Sequence, residues 1–267
     1  MPVDGNKAIK VLVVHGVQLG DNKDLDQDKD IKQLIDSRLN GIAVDFDVDI
    51  YRYENINDNK IKPLLRLSKL LLKTPAANVL VDKGMDLVLD VVINLQDGSA
   101  AEAIRAGLKQ KILAYYDEGH PCFVVAHSLG SIYSFDVIGQ LMRDKQYYDR
   151  NAWDTWPVQG LLTIGSPIGL PMFRGRRRQH VPNLGTGMEW FRWLNYWDRT
   201  DPVVSGSIFG KQLTNYQIAE RYLKDNPKQG WFIRDHIVDT GKTWLMAHTA
   251  YWSNPMVGDG LVNLMMS

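Results

Sequence analysis

Residues 123–142 read FVVAHSLGSIYSFDVIGQLM. An apolar run ends in a corner at Ala126-His127-Ser128-Leu129-Gly130, and an apolar pattern of helical period follows. The first part predicts a buried strand and the last a helix. A serine at such a corner has two readings. It caps the helix by accepting backbone N–H groups, or its hydroxyl is a nucleophile held on a strained turn between small neighbours. Those five residues do not choose between the two, so the choice rests on the rest of the chain.

Outward from this corner, further short runs rich in β-branched and aromatic residues recur: IKVLVVHG, VDFDVDIYRY, VQGLLTIGS, WFRWLNYWD and GWFIRDHIVD. Helical patterns separate them. Strands alternating with helices predict an α/β domain with a mostly parallel sheet of about six strands and helices on both faces. The runs at 9–14, 121–126 and 158–164 are nearly continuous in apolar residues, as strands buried on two faces must be. The run at 44–50 instead alternates Val44, Phe46, Val48 and Ile50 with Asp45, Asp47 and Asp49. That pattern predicts one wet face at a sheet edge.

Residues 57–100 read as a helical insertion. Lys62, Arg66, Lys69 and Lys73 make a basic stripe on a leucine-rich helix, and Asp82, Asp86, Asp90 and Asn94 make an acidic stripe on a second. The expected division is a core of residues 1–56 and 101–267 with a cap or lid at 57–100, packed on the core or at a subunit contact. A mobile lid whose leucines line an acyl pocket or touch lipid is the sharper alternative.

A serine hydroxyl becomes nucleophilic only beside an imidazole that a carboxylate orients. Candidates stand in later loops. Asp201 precedes Pro202 in DRTDPVV, with Asp198 three residues earlier, and His248 lies in MAHTAYW. His236 competes as the base, but it falls within an expected strand, where a structural histidine is the plainer reading.

Taken together, VVHG, AHSLG, TIGSP, DPV and AHTAYW resemble the motifs of serine hydrolases of the α/β-hydrolase fold, in the esterase and lipase branch. The resemblance runs from about residue 9 to the end of the sequence, excluding the insertion. Ala126 stands where that family's elbow usually has its first glycine. The resemblance implies Ser128 as nucleophile, His248 as base and Asp201 as the acid orienting it. It further implies an oxyanion hole from the backbone N–H groups of Leu129 and Val17, with Gln18 replacing Val17 if the loop is shifted by one residue. His15, Gly16, Gln18 and His127 would line the substrate site. The family's sheet order also implies that 44–50 forms an edge strand here, because the family's first two strands have no counterpart before IKVLVVHG.

The expected function is hydrolysis of carboxyl esters with an apolar acyl group through a covalent acyl-enzyme. The alternatives are an interfacial lipase or phospholipase with the insertion as lid, and a binding protein on the same fold without catalysis. No cofactor or metal is expected. Asp24, Asp26, Asp28 and Asp30 are spaced like the opening of a calcium loop, but Lys29 and Ile35 stand where glycine and a bidentate glutamate are required. They read instead as a solvated loop whose last aspartates cap the helix IKQLIDSRL. Arg174, Arg176, Arg177 and Arg178 read as a surface loop near the rim of the site, or as a grip on an anionic substrate group.

The totals agree with one domain that carries an insertion. There are 267 residues, of which 45% are hydrophobic, and 31 basic side chains balance 31 acidic ones. That balance gives no global field toward nucleic acid or anionic membranes. A small-molecule ester or lipid is the partner that the resemblance implies, and no nucleic acid is expected; peripheral membrane contact is less favoured and oligomerisation stays open. One cysteine, Cys122, excludes an internal disulfide. The absence of an apolar leader or a long apolar run in the sequence leads us to expect a cytoplasmic protein.

Overall fold

Each of the six apolar runs forms a strand in the computed structural model: β1 Ile9–Val14, β2 Phe46–Tyr51, β3 Cys122–His127, β4 Gly160–Ile164, β5 Arg192–Trp197 and β6 Phe232–Ile237. The structure describes residues 3–16, 27–53, 97–144, 146–148, 152–170, 173, 191–205, 232–242 and 245–267. Most of the expected cap, the Arg174–Arg178 loop, Asp24, Asp26, Val17 and Gln18 lie outside them.

The strands pair in the order β2-β1-β3-β4-β5-β6. Every pairing is parallel, which sharpens the expected mostly parallel sheet. Parallel neighbours need crossovers, and the helices supply cover for both faces. These helices are α1 Gln27–Leu39, α2 Ser99–Asp117, α3 Leu129–Met142, the short turns α4 Pro202–Ser205 and α5 Leu245–Thr249, and α6 Pro255–Met265. Alternate strand residues feed two cores. Leu12, Val14, Val124 and Ala126 join Ile104 and Leu108 of α2 and Ile132 and Val137 of α3. Val11, Val13, Phe123 and Val125 join Ile31 and Ile35 of α1 and Val257 and Leu261 of α6. Each large aliphatic side chain so buried contributes about 1.5–3 kcal/mol.

Two local expectations are adjusted. Helix α1 opens at Gln27, so Asp28 and Asp30 lie within its first turn rather than ahead of it. There they face the positive end of the helix dipole. The helix after the expected cap opens at Ser99, just before the boundary drawn from sequence.

Strand β2 lies at one edge of the sheet, as its alternation predicts. Its aspartate face is wet only in part. Asp47 is exposed and pairs with Lys10 on β1 at 2.6 Å. Asp49 is half-buried beneath α2, where Lys111 lies at 2.6 Å and the Tyr115 hydroxyl donates to it at 2.6 Å. Burial alone would raise the Asp49 pKa, but these two partners outweigh it and hold the carboxylate below its ordinary range.

A polar row crosses the far strands in register: Thr163, Asn195 and Asp235 are aligned on β4, β5 and β6. Trp193 Nε1–H donates to Thr163 Oγ1, Thr163 Oγ1–H to Asn195 Oδ1, and Asn195 Nδ2–H to Asp235 Oδ1, at 2.8, 2.8 and 2.9 Å. Each buried polar group in the row is thereby satisfied.

Asn254 caps α6, accepting the Met256 N–H at 3.0 Å, with Pro255 opening the helix. Among the described residues no helix is long and apolar enough to cross a membrane.

Replacing Asp47 by valine removes the more exposed of the two charges of β2. We expect the variant to fold but to self-associate, seen as a rise in weight-average mass with concentration in sedimentation, where the wild-type chain shows a smaller rise or none.

Candidate active site

The chain leaves β1 toward β2 on one side and returns through β3 on the other, so β1 and β3 flank the point where the strand order reverses. In open parallel sheets the crevice at the carboxyl ends of such strands is where ligands bind. Two short stretches meet there. His15-Gly16 follows β1, and Ser128 follows β3. A Cβ on Gly16 would stand 2.5 Å from Ser128 Cβ and 3.1 Å from Ser128 Oγ, so only glycine lets the two loops touch.

The corner itself is strained. Ser128 has φ 52° and ψ −127°, and its side chain makes no capping hydrogen bond to α3. The helix-cap reading of Ser128 therefore fails. A non-glycine residue in this region carries about 1–3 kcal/mol of strain, which the surroundings must hold. The Ser128 N–H donates to Ile164 O at 3.2 Å. The Ser128 carbonyl accepts Ser131 N–H at 3.0 Å and Ser131 Oγ–H at 2.5 Å. Because Ser131 spends its proton there, Ser166 Oγ donates to Ser131 Oγ at 2.6 Å, and Ser166 Oγ in turn accepts Ile168 N–H at 3.3 Å. Leu129, whose N–H the resemblance assigns to the oxyanion, opens α3. The N–H groups of a first helical turn have no carbonyl partner within the helix.

The second half of the site comes from the loops after β4 and β5 and from the C-terminal segment. His248 Nδ1–H donates to Asp201 Oδ2 at 2.9 Å, with both side chains buried. That bond sets the tautomer and leaves Nε2 as the basic nitrogen of the ring. Asp201 Oδ1 accepts Val203 N–H at 2.9 Å, so Pro202 and the α4 turn fix the carboxylate. Gly165, at φ +56°, lies under the pair. A Cβ on it would approach His248 Nδ1 to 3.0 Å and Asp201 Oδ2 to 3.1 Å.

Asp198, the competing acid, is placed elsewhere. Its carboxylate accepts the N–H and Oγ1–H of Thr200, both at 2.7 Å, and those of Thr240 at 2.8 and 2.7 Å. It ties the loop after β5 to the loop after β6. Burial alone would push its pKa up, and these four donors override that and hold it below the ordinary carboxylate range. His236 sits in β6, half-buried, its ring stacked on Tyr196 with centroids 4.9 Å apart.

The serine and histidine halves meet through His127. Its Nε2–H donates to the His248 carbonyl at 2.8 Å, and the two rings lie 4.5 Å apart. Trp252 closes the other side, edge-on at 5.2 Å. Burial first, then the neighbouring His248 and His15, hold the His127 pKa well below its ordinary value, so the ring stays neutral. His15 is also buried. Its ring stacks on Tyr53 at 4.9 Å and its Nδ1–H donates to Gly16 O at 2.5 Å, which fixes the turn opposite Ser128. Of the sequence-derived site residues, Ser128, Leu129, His127, His15, Gly16, Asp201 and His248 gather at this end of the sheet; Val17 and Gln18 lie outside the described residues.

Tyr251, Gly165, Ser131 and Ser166 belong to the site's architecture but were not singled out from the sequence. Tyr251 is one of 11 tyrosines, and Ser166 sits in TIGSP without any spacing that marks it.

Among solved structures, the chain is similar to an uncharacterized protein from Bacillus cereus ATCC 10987, at 12% identity and TM-score 0.46, the match covering 99% of this chain and 60% of that one. It is also similar to TT1662 from Thermus thermophilus, at 11% identity and TM-score 0.48, covering 99% of this chain and 90% of that one. The chain thus spans 60% of the length of the Bacillus protein. No family model and no curated protein matches the chain.

Two stability tests follow from the buried groups. An unfolded histidine takes up its proton near pH ~6.5, while folded His127 does not. Stability is therefore full above that value and falls as pH drops below it, by up to about 1.4 kcal/mol per unit. His127→Gln keeps an N–H toward the His248 carbonyl but cannot titrate, so its urea midpoint should fall less steeply over this range than that of the wild type. For Asp198 the folded pKa is depressed, so its contribution is present above the unfolded value of about 3.9 and is lost below it. Asp198→Asn should lower stability at neutral pH by about 2 kcal/mol, and less at pH values under that threshold.

Proposed function

We propose that this protein is a serine hydrolase of carboxyl esters on an α/β-hydrolase fold, acting on substrates with an apolar acyl group. The observation that carries this reading is the buried His248–Asp201 pair, with Nδ1 bonded to the carboxylate, packed through His127 against a serine held at positive φ. A serine without a capping bond, strained onto the turn between strand and helix, matches what a nucleophile elbow requires. The replacement of the elbow's first glycine by Ala126 is accommodated, since Ala126 packs in the core of β3.

In this reading Ser128 Oγ attacks the ester carbonyl carbon while His248 Nε2 takes the hydroxyl proton. Asp201 stabilises the imidazolium that forms and keeps its proton on Nδ1. The negative charge that develops on the carbonyl oxygen is received by the Leu129 N–H at the head of α3, where the helix dipole adds to the bond. Val17 N–H is the second donor implied by the resemblance. Collapse breaks the bond to the alkoxide, which leaves with the proton from His248. Water, deprotonated by the same imidazole, then hydrolyses the acyl-serine. The apolar acyl preference rests on the leucine-rich insertion at 57–100.

The test is a series of p-nitrophenyl esters of rising chain length. Ser128→Ala and His248→Ala should each lose on the order of 10⁴-fold in kcat, and the double variant should lose no more than either alone, because groups acting as a unit are not additive. Asp201→Asn should be crippled and Asp198→Asn, once folded, should not. Near-normal turnover by Ser128→Ala would overturn the assignment. A jump in rate above the solubility limit of the longer esters would move the substrate class from soluble esters to lipid interfaces.

A further inference from the structure

His248 and Tyr251 stand three residues apart, at the junction of the α5 turn and the 3-10 turn that follows it. Both donate to one atom. The Tyr251 hydroxyl donates to Asp201 Oδ2 at 2.8 Å, the same oxygen that accepts His248 Nδ1–H at 2.9 Å. The tyrosine oxygen also accepts the Asp198 N–H at 2.8 Å, so its position is set by the loop that carries the acid. The ring is fully buried, and a Cβ on Gly165 would approach its Cε2 to 2.9 Å. Burial foremost, and then Asp201 beside it, drive the phenol well above its usual range, so it remains a donor at every working pH.

We propose that Tyr251 is a positioning residue of the hydrolytic site: by sharing Asp201 Oδ2 with His248, it fixes which carboxylate lone pair faces the imidazole and draws off part of the charge that the imidazole feels. The inference rests on the serine-hydrolase reading above. It adds that the acid is tuned from the histidine's own segment.

Val203 N–H holds the other oxygen, so the carboxylate keeps its plane when the phenol is lost. Oδ2 then carries more charge and attracts the imidazolium more strongly. The base becomes harder to deprotonate at low pH. The groups around the imidazole are Asp201 from the loop after β5, neutral His127 at the end of β3 with His15 beyond it, and Asp198 behind the tyrosine. Changing Tyr251 to phenylalanine removes none of these groups; it withdraws the bond to Asp201 Oδ2 and the acceptor of the Asp198 N–H.

The test compares wild type with Tyr251→Phe on the same ester series, and records the downfield Nδ1 proton resonance of His248 by NMR, also in a Ser128→Ala background where turnover plays no part. We expect kcat to fall on the order of tenfold with little change in KM. The acid limb of the kcat/KM profile should move to higher pH, and the Nδ1 proton should move further downfield. An unmoved resonance overturns the proposal, as does a loss of activity that leaves the acid limb in place, which would mark a merely structural tyrosine. If Tyr251→Phe does not fold, a ring-fluorinated tyrosine at the same position keeps both bonds and donates more strongly. It should move the resonance and the acid limb the opposite way, and no movement again overturns the proposal. Failure of the hydrolase reading itself is seen separately, as turnover by Ser128→Ala, and leaves the NMR comparison interpretable.

Discussion

Where α3 leaves β3 it crosses the end of β1 so closely that a Cβ on Gly130 would stand 2.5 Å from the His15 carbonyl oxygen and collide with that of Val14 as well. Backbone atoms cannot give way there as a flexible side chain could. The close crossing is what drives Ser128 into positive φ, because the chain must reverse from strand to helix within one residue. On the opposite side Gly16 permits the same approach from β1. Two missing Cβ atoms thus bring two loops of the sheet into contact at the switch point. The strain at Ser128 is held by bonds to its own N–H and carbonyl, and by the cores on both faces of the sheet.

The histidine half depends on a different kind of constraint. Asp201, His248 and Tyr251 come from loops distant in sequence, and their polar atoms are out of water. Such a cluster is stable only when each donor meets an acceptor. Asp201 Oδ1 takes Val203 N–H, Oδ2 takes His248 and Tyr251, and Asp198 spends its own carboxylate on Thr200 and Thr240. The two aspartates of one loop therefore divide the work: one staples loop to loop, and the other faces the imidazole. Neutral His127 joins this half to the serine corner without adding a charge to the buried site.

Much of the architecture was legible in the chain. All six strands form where β-branched and aromatic residues run together, since such runs have nowhere dry to go except between two helical layers. The alternation of Asp47 and Asp49 with Val48 and Ile50 marked β2 as the edge, because a charge every second residue cannot be buried on both faces. Less legible was the start of α1, since Asp28 and Asp30 suit a cap and a first turn equally well. The covering of Asp49 by α2 could not be foreseen either: Tyr115 is one aromatic among many until the helix is laid on the sheet.

At the site, the sequence by itself determined a strand-to-helix corner with a serine between small residues at 126 and 130, and left a cap and a nucleophile both open until the backbone of Ser128 showed its positive φ and no capping bond. It also narrowed the partner groups to the loops holding Asp198, Asp201 and His248. Only the tertiary structure decided which aspartate meets the imidazole, since both precede a turn and the choice depends on where Thr240 and Gly165 arrive from other strands. It alone revealed that His127 and Tyr251 grip His248 and Asp201, for hydrogen bonds across more than 40 residues of chain carry no local pattern. Periodicity records which face of an element is dry. It does not record which buried donor will find which acceptor once the loops are brought to the same end of the sheet.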